Sequence, residues 1–260
     1  MRVVIVADTH CGSRTGLTPP GWQYQGGSDD PELEWYAEFQ RALWKQYASV
    51  VELLQPVDVL IANGDLVDGR GAKTGGVEEI LAERDKQARM AARCLEEMHA
   101  KRVIIVSGTP YHSSEDGEDW DAAVAQYIKA ETIGTEGYID AAGLVLHVKH
   151  FCPSSVIPHG RFTGPAREYL HLALRALHRE APRADVVIRS HVHYGVDAGN
   201  RYWRVIVTPC LQGPTRFPRK TSLRETDMGL TVFDIKGRDR WTWRTEWIDL
   251  PRAVAPVLTL

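Results

Sequence analysis

Short apolar runs recur along the chain and alternate with longer stretches that have a helical pattern. Runs rich in Val, Ile and Leu predict buried strands at residues 2–7, 57–63, 102–108, 143–150 and 184–190. The stretches between and after them predict helices at residues 31–54, 76–99, 119–130 and 163–180. Strands that alternate with helices are typical of an α/β fold with a largely parallel sheet covered by helices.

Capping residues and turn residues indicate several boundaries. Asp30 predicts the start of the first helix, and Thr163 predicts the start of the last one. The pair Gly199-Asn200 predicts the turn of a β-hairpin. Two further strands are expected at 229–235 and 240–248.

Composition places the chain among ordinary globular proteins. It has 260 residues, of which 43% are hydrophobic and 25% charged, and its formal charge is −3. This balance argues against a broad surface for nucleic acid or membrane. No apolar run approaches the roughly 18 residues of a membrane span, and the chain enters a strand at once. We therefore expect an intracellular, cytoplasmic protein.

The cysteines do not form a recognisable site. The chain has four of them, which are far apart and include no CxxC pair. This spacing argues against a zinc ribbon and against a disulfide framework. We expect free thiols.

Polar residues with metal-binding side chains follow five of the predicted strands. In chain order, these candidates are Asp8 and His10, Asp65 and Asp68, Thr109 and His112, His147 and His150, and His191 and His193. In α/β sheets, sites form at the carboxyl ends of the strands. We therefore expect these side chains to converge although they are distant in sequence.

The ligand types predict the kind of metal and the kind of chemistry. Mixed His and Asp ligands suit Mn²⁺ best here, with Fe, Zn²⁺ and Ni²⁺ as alternatives. The candidates exceed what one ion needs, so two divalent ions are expected. Two ions roughly 3.5–4 Å apart form a hydrolytic centre, in which a metal-bound hydroxide attacks a phosphorus atom.

The ordered motifs resemble those of the calcineurin-like metallophosphoesterases. The matching elements are Asp8-x-His10, Gly64-Asp65-x-x-Asp68, a His after the third strand, a strand-end His, and Ser190-His191-x-His193. The resemblance implies an α/β fold of four layers, a helix–sheet–sheet–helix sandwich, as a single domain over 1–260. The signature spans 1–210, and strands within 228–250 are expected to complete the second sheet. It also implies a dinuclear metal centre that hydrolyses phosphomonoesters or phosphodiesters.

The resemblance also implies a role for each candidate ligand. Asp8, His10 and His193 would bind the first ion, and Asp65 would bridge both ions and take part in catalysis. His191 and His150 would bind the second ion. His147 is the alternative to His150, which lies nearer the end of its strand. Asp68 would support a ligand or a turn and is less suited to direct ligation.

The third motif departs from the family pattern. The family has Gly-Asn-His-Asp or Gly-Asn-His-Glu after the third strand, and here the sequence is SGTPYHSSED. We interpret His112 as the counterpart of the family's acid, which protonates the leaving oxygen. Thr109 is a candidate oxygen ligand in place of the Asn, with Glu115, Asp116 or water as alternatives. Gly-Thr-Pro before the His resembles phage and prokaryotic members, so a phage-encoded protein inside its host is a second expected setting.

The second motif also differs in a way that bears on the substrate. Phosphoprotein phosphatases of the family have an Arg directly after the second Asp, where it holds the phosphate. Here Gly69 takes that position and Arg70 follows. This substitution weakens a protein-phosphatase interpretation and leaves Arg70 as a candidate substrate-binding residue.

Three functions remain open from the sequence. The favoured one is a phosphodiesterase, such as a nuclease, acting on DNA, RNA or a nucleotide diester, because the run at 216–224 is basic and Arg201 and Arg204 are candidates for the same surface. The first alternative is a nucleotide or small-molecule phosphatase in which the loop at 11–29 covers the site and Trp22 or Tyr24 stacks on a base. The second is a non-catalytic interaction scaffold of the same fold. The sequence leaves the substrate, the metal and the oligomeric state undetermined.

Overall fold

The described residues form two β-sheets and five helices. The computed structural model describes residues 1–70, 75–113, 118–214 and 226–250. The helices are α1 (Pro31–Leu54), α2 (Arg84–Glu96), α3 (Pro110–Ser113), α4 (Trp120–Ile128) and α5 (Thr163–Leu177). Within those ranges, no helix combines the length and apolarity needed to cross a bilayer.

The first sheet has six strands and is parallel at its centre. Its strands are β1 (Arg2–Val6), β2 (Val59–Asn63), β3 (Arg102–Val106), β4 (Glu131–Thr132), β10 (Gly229–Ile235) and β11 (Trp241–Trp247). Their order across the sheet is β11-β10-β1-β2-β3-β4. Strands β1 to β4 run parallel, whereas β10 and β11 are antiparallel to their neighbours. The carboxyl ends of β1, β2 and β3 therefore lie along one edge.

The second sheet has five strands, three of them parallel. Its strands are β5 (Glu136–Ala141), β6 (Leu144–Lys149), β7 (Val186–Arg189), β8 (Val196–Gly199) and β9 (Arg204–Val207). Their order is β5-β6-β7-β9-β8, with β6, β7 and β9 parallel. The hairpins β5–β6 and β8–β9 close the two sides.

Alternation of side chains along the strands shows four layers. In β1, Val4 and Val6 join the core beneath α1 and α2, whereas Val3 and Ile5 face the second sheet. The second sheet contributes Leu146 and other residues to this inter-sheet core, and its opposite face packs against α5. Because successive strand residues point to opposite faces, a strand that is apolar throughout must be buried on both faces. The expected sandwich of two sheets between helical layers is confirmed.

The C-terminal strands extend the first sheet, and the expectation that they complete the second sheet is wrong. Strand β10 pairs with β1, with Val4 opposite Val232. It is apolar on both faces, since Val232 joins the helix-side core and Phe233 the inter-sheet core. A strand that is apolar on both faces is stable only where one face packs on the helices and the other on the second sheet. The edge of the first sheet beside β1 is such a position.

The second helix is shorter than expected because the chain before it pairs with the first loop. The backbone N–H of Ile80 donates to the carbonyl of Gly12 (2.7 Å), and that of Arg14 donates to the carbonyl of Glu78 (2.8 Å). These bonds hold 78–80 extended, so α2 begins only at Arg84.

Other boundaries differ from expectation by small amounts. Asp30 caps α1 as expected, because its side chain accepts a bond from Glu32 N. Thr163 is the first residue of α5 and makes no cap, since Phe162 precedes the helix. The hairpin β8–β9 turns over Asn200–Trp203, with Gly199 opposite Arg204 in the last strand pair. The sequence pattern did not predict β4, which has only two residues, or β5, which is largely half-buried and lacks a clear apolar run.

We expect Phe233→Ala to lower the free energy of unfolding by about 3–5 kcal/mol, because the ring is fully buried between the sheets and leaves a cavity. Thr242→Ala, on the exposed side of the neighbouring β11, is the matched control and should change it by less than about 0.5 kcal/mol. Urea unfolding of both variants measures the difference. Equal small losses would contradict the packed inter-sheet core.

Candidate metal centre

Loops at the carboxyl ends of four parallel strands bring six His and Asp side chains together. Asp8 and His10 follow β1, Asp65 follows β2, His150 follows β6, and His191 and His193 follow β7. The two sheets are joined at this edge by direct bonds: Asp8 Oδ2 accepts from His191 N (3.0 Å), and Asn63 donates to Ser190 Oγ (2.6 Å). Ligands from both sheets therefore share one cleft.

The first group of possible ligands is Asp8, His10 and His193. Nε2 of His193 lies 3.3 Å from Asp8 Oδ1 and 3.2 Å from Nε2 of His10. Asp8 Oδ1 lies 3.9 Å from Nε2 of His10. Atoms that surround one ion at about 2.1 Å are separated by roughly 3–3.5 Å. The three atoms thus have nearly the spacing that one ion requires.

The second group is Asp65, His150 and His191. Asp65 Oδ2 lies 3.0 Å from Nε2 of His150 and 3.8 Å from Nδ1 of His191. Nε2 of His150 also lies 3.8 Å from Asp8 Oδ1, so the two groups adjoin. A third group contains His10, Asp65 and His112. Asp65 therefore belongs to the second group and also has a carboxylate oxygen within 4.8 Å of His10, a member of the first.

Two buried atoms of the site have no hydrogen-bond partner among the described residues. They are Asp8 Oδ1 and Nε2 of His150, one in each group. Each atom instead takes part in an ion pair of the cluster, Asp8 Oδ1 with Nε2 of His193 (3.3 Å) and Nε2 of His150 with Asp65 Oδ2 (3.0 Å). A cation bound among these atoms would replace the positive charge that the buried carboxylates otherwise need from protonated histidines. The donor set, mixed imidazole and carboxylate without thiolate, fits a divalent transition metal.

The electrostatics of the cluster also favour a bound cation. Burial works to raise the pKa of Asp8 and of Asp65, but the nearby His150 and other histidines outweigh it and hold both pKa values below the usual range. Burial works to lower the pKa of His150, yet the carboxylates of Asp65 and Asp8 raise it to about 10. The pKa of His193 is likewise raised, against burial, by Cys210 and Asp8. Protonated histidines thus supply positive charge at positions where a metal would supply it.

Hydrogen bonds to the other ring nitrogen select the atom that each histidine presents. Nδ1 of His10 donates to Asp68 Oδ1 (3.0 Å), and Nδ1 of His150 donates to the carbonyl of Asn63 (2.6 Å). Both bonds direct Nε2 into the cluster, as second partners of metal-bound histidines do. Asp68 therefore lies where the sequence predicted a supporting residue, and Gln212 donates to the same oxygen (3.4 Å).

The backbone at the site is held in an unusual conformation. Nine non-glycine residues of the described chain have positive φ, and five of them are Asp8, His10, Asp65, His191 and His193. Such left-handed conformations cost of order 1–3 kcal/mol each and cluster at functional sites. Here each one turns a side chain away from its strand and toward the cleft.

Two glycines allow the loops to approach each other. A Cβ on Gly108 would lie 2.2 Å from both N and Oδ1 of Asp65, and a Cβ on Gly64 would lie 2.7 Å from Nδ1 of His150. Gly64 also has a φ of +79°. A side chain at either position would displace a candidate ligand.

His112 and Thr109 reach the site by different contacts. His112 lies on the single turn α3, where Nδ1 donates to the carbonyl of Asp68 (2.8 Å) and the ring packs edge-on against His10. Thr109 donates from N (2.6 Å) and Oγ1 (3.0 Å) to Asp65 Oδ1. The hydroxyl of Thr109 therefore orients Asp65. The alternative ligands Glu115 and Asp116 lie outside the described residues.

A residue that the sequence did not single out joins the loops beneath the site. Asp121 is fully buried on α4 and accepts bonds from Leu66 N (3.0 Å) and Gly108 N (2.7 Å). Burial, and then the charge of Asp65, raises its pKa to about 7. No sequence signal marks it, because an acidic residue in the first turn of a helix is ordinary.

His147 lies away from the cluster. Strand alternation places it on the face of β6 opposite to Leu146 and Val148, where Arg189 donates to its Nδ1 (3.1 Å). Burial, followed by the charge of Arg189, lowers its pKa to about 4. Of the two histidines that the sequence left as alternatives, the structure brings His150 to the cleft.

The three candidate substrate-binding residues, Arg70, Trp22 and Tyr24, differ in their surroundings. Arg70 is exposed at the end of a described range. Trp22 packs against the helix-side core and Tyr24 lies near Tyr36, with ring centres 6.4 Å apart. Both aromatic residues thus make local packing contacts.

Only two residues of the expected basic surface, Arg201 and Arg204, lie in the described part of the chain. Arg201 precedes β9 and Arg204 begins it, which places them at the end of the second sheet opposite to His191. They are therefore distant from the candidate metal centre, because β7 and β9 run parallel and His191 follows the far end of β7. The basic run at 216–224 lies outside the described residues.

We expect Asp121→Asn to weaken Mn²⁺ binding by about 10–100-fold, because an amide can accept from only one of the two N–H groups and the loops that carry Asp65 shift. Asp119→Asn is the matched control, since Asp119 caps the same helix and contacts Ser107. Calorimetric titration with Mn²⁺ measures both. Equal affinities in the two variants would contradict a positioning role.

We also expect metal binding near pH 7 to release about one to two protons per protein, because His150 and His193 have raised pKa values and must lose a proton to bind a metal. Affinity should therefore fall as the pH is lowered through neutrality. Titration in two buffers of different ionisation enthalpy measures the release. An observed heat that is the same in both buffers would refute the expectation.

No protein-family model and no curated protein sequence matches the chain. Solved structures similar to it include an archaeal phosphodiesterase, with 13% identity, coverage of 95% of this chain and 100% of that chain, and a TM-score of 0.47. Vps29 of Chaetomium thermophilum is similar with 10% identity, coverage of 95% of this chain and 97% of that chain, and a TM-score of 0.49. The phosphoesterase YfcE of E. coli is similar with 12% identity, coverage of 96% of this chain and 100% of that chain, and a TM-score of 0.44. These structures include phosphoesterases, the class that the sequence motifs resemble. The similarity is distant, so the role of each residue rests on the geometry of this chain.

Proposed function

We propose that this protein is a metal-dependent phosphoester hydrolase of the calcineurin-like type, and that diesters are its preferred substrates. The observation that carries the proposal is the pair of adjoining ligand groups, each with a buried atom that has no hydrogen-bond partner in the described chain. Structural histidines and carboxylates are normally hydrogen-bonded when buried. The close polar neighbours of both atoms belong to the same cluster of carboxylates and histidines, and a bound cation would neutralise the buried carboxylates.

The residues divide into two sets that would hold two divalent ions, for which Mn²⁺ is the first choice. Asp8, His10 and His193 would hold one ion, and His150 and His191 the other. Asp65, which is grouped with His150 and His191 and also with His10, would contribute to both. When bound, two such ions supply Lewis-acid activation of the phosphoryl group and of the attacking water.

The chain's own groups orient the ligands and handle the proton of the leaving group. Thr109 and the backbone N–H of the same residue hold the Asp65 carboxylate, so it cannot rotate away from His150. The bond from Nδ1 of His112 to the Asp68 carbonyl makes Nε2 the atom that carries the exchangeable proton. We assign His112 as the acid that protonates the leaving oxygen from Nε2.

Two features support a diester over a monoester. A monoester carries a second negative charge, and the Arg that holds it in phosphoprotein phosphatases is replaced here by Gly69. A diester has a second organic group instead, and Phe151 offers an apolar surface for it. This ring is 48% exposed, and its centre lies 5.1 Å from that of His191.

The proposal is tested by hydrolysis of bis-nitrophenyl phosphate by metal-stripped protein to which Mn²⁺ is restored, with the mononitrophenyl ester alongside. We expect metal-dependent turnover of the diester and a fall of more than about 100-fold in Asp65→Asn, because both ions lose a ligand. Asp58→Asn is the matched control, since Asp58 lies at the opposite end of β2 and pairs with Lys101.

Other outcomes of this assay separate the alternatives. Turnover of the monoester alone would overturn the diester preference and favour a phosphatase. Tight metal binding with no turnover of either ester would favour a non-catalytic scaffold of the same fold.

We expect His112→Ala to slow a diester with a poor leaving group, such as an alkyl ester, by about 10²–10⁴-fold, and a nitrophenyl diester by less than about 10-fold. A nitrophenolate leaves without protonation, so only the poor leaving group needs the acid. Steady-state rates on the two substrates give the ratio. Equal losses on both would remove the acid role and leave His112 a structural part of the centre.

A further inference from the structure

A second cavity lies at the end of the sandwich opposite to the candidate metal centre. Its volume is about 340 Å³, and it is lined by Asp185, Asn200, Arg201, Trp203, Arg204, Trp241 and Trp243. Residues of the β8–β9 turn form one side and the edge strand β11 forms the other. We refer to it as the tryptophan pocket. It lies where the inter-sheet core reaches solvent, because Trp241 and Trp243 pack against that core.

The indole walls are held rigidly by neighbouring residues. Trp203 stacks on Tyr169 with ring centres 5.3 Å apart, and Trp241 packs on Phe233 at 5.9 Å. The guanidinium of Arg204 lies 5.8 Å from the centre of the Trp243 ring and is fixed by both oxygens of Asp197 (2.8 and 2.7 Å). The pocket therefore presents flat aromatic surfaces that are ordered before any ligand binds.

Most polar side chains of the tryptophan pocket are hydrogen-bond donors, and the carboxylate in its lining, Asp185, already accepts hydrogen bonds. Asp185 accepts from Val145 N and from Arg238. Arg201 pairs with no carboxylate in the described part of the chain, and its guanidinium lies over the ring of Tyr202. Across the same ranges, the three indole N–H groups of the wall make no hydrogen bond. The side-chain oxygen of Asn200 is taken by Tyr202 N, which leaves its amide N–H₂ to donate.

These properties select a ligand that is flat, aromatic and negatively charged. Aromatic walls stack on the planar ring of a nucleobase. An unpaired guanidinium with nearby N–H donors selects an anion, and charge-assisted bonds of this kind are the strong ones. A cavity of this size falls within the usual range for small-molecule sites, about 300–1,000 Å³. A cationic or acceptor-poor ligand would leave these donors unpaired.

We propose that the tryptophan pocket is a binding site for a nucleoside monophosphate, separate from the metal centre. The base lies against the indoles of Trp203 and Trp243, and the phosphate contacts Arg201 and the amide of Asn200. The site needs no metal, because Asp8, Asp65 and the clustered histidines lie at the other end of the strands. The proposal therefore stands whether or not the protein hydrolyses phosphoesters.

The test is calorimetric and fluorescence titration of the full chain with adenosine monophosphate in the presence of EDTA. We expect saturable quenching of tryptophan fluorescence and one-site binding. Arg201→Glu should weaken that binding by more than about 10-fold, because it removes the charge-assisted contact and adds repulsion. Lys45→Glu, the same charge change on the exposed side of α1, is the control and should have no effect. Arg201 is exposed, so its replacement leaves the core intact, and circular dichroism verifies the fold.

Adenosine and inorganic phosphate serve as separate arms, and each should bind at least about 10-fold more weakly than the nucleotide. Phosphate that binds as tightly as the nucleotide would overturn recognition of the base. Binding that survives Arg201→Glu unchanged would overturn the assigned site, as would binding lost in Asp65→Asn, which would transfer the nucleotide to the metal centre. Absence of binding at millimolar nucleotide would overturn the proposal altogether.

Discussion

The arrangement of this molecule depends on two carboxylates, Asp8 and Asp65, that are buried side by side. Each is at most 1% exposed, and within the described ranges only histidines form ion pairs with them. A buried charge is strongly unfavourable unless an opposite charge compensates it. Without a metal, the protonated His150 and His193 provide that compensation. If metals bind as we propose, the same histidines would lose their protons and become ligands.

The fold supplies this pair by packing two mixed sheets face to face, with the carboxyl ends of their parallel strands on the same side of the sandwich. Asp8 and Asp65 end neighbouring strands of the first sheet, and His150 and His191 end neighbouring strands of the second. Left-handed backbone at the strand ends and the two glycines, Gly64 and Gly108, allow the loops to approach within bonding distance. The interior of the sandwich is ordinary apolar packing. Its contribution to function is to hold the two edges in register while the loops carry conformational strain.

Much of this arrangement was predictable because strand ends carry a strong signal. Apolar runs that stop at Asp-x-His or His-x-His identify both the strand and the residues that leave it, and parallel topology brings those ends together. Strand alternation separates His147 from His150, since residues three apart in a strand face opposite sides. The order of strands within a sheet was less predictable. The C-terminal strands join β1 because β10 is apolar on both faces, and their position in the sequence does not reveal this.

Contacts between distant side chains were not predictable from local pattern. Asp121 is one acidic residue in the first turn of a helix, and its importance lies in two backbone N–H groups of loops that are far away in sequence. Arg201 and Arg204 are basic residues of a candidate phosphate-binding surface, and strand direction places them far from the candidate metal centre. In both cases the deciding quantity is a three-dimensional distance that no local motif encodes.

The central claim is that this cluster binds two ions and that Asp65 contacts both. Anomalous diffraction from a crystal soaked in Mn²⁺ tests it most directly. The account predicts two peaks about 3.5–4 Å apart, one among Asp8, His10 and His193 and the other beside His150 and His191, with a carboxylate oxygen of Asp65 within coordination distance of each. A single peak, or two peaks of which Asp65 touches only one, would contradict the account.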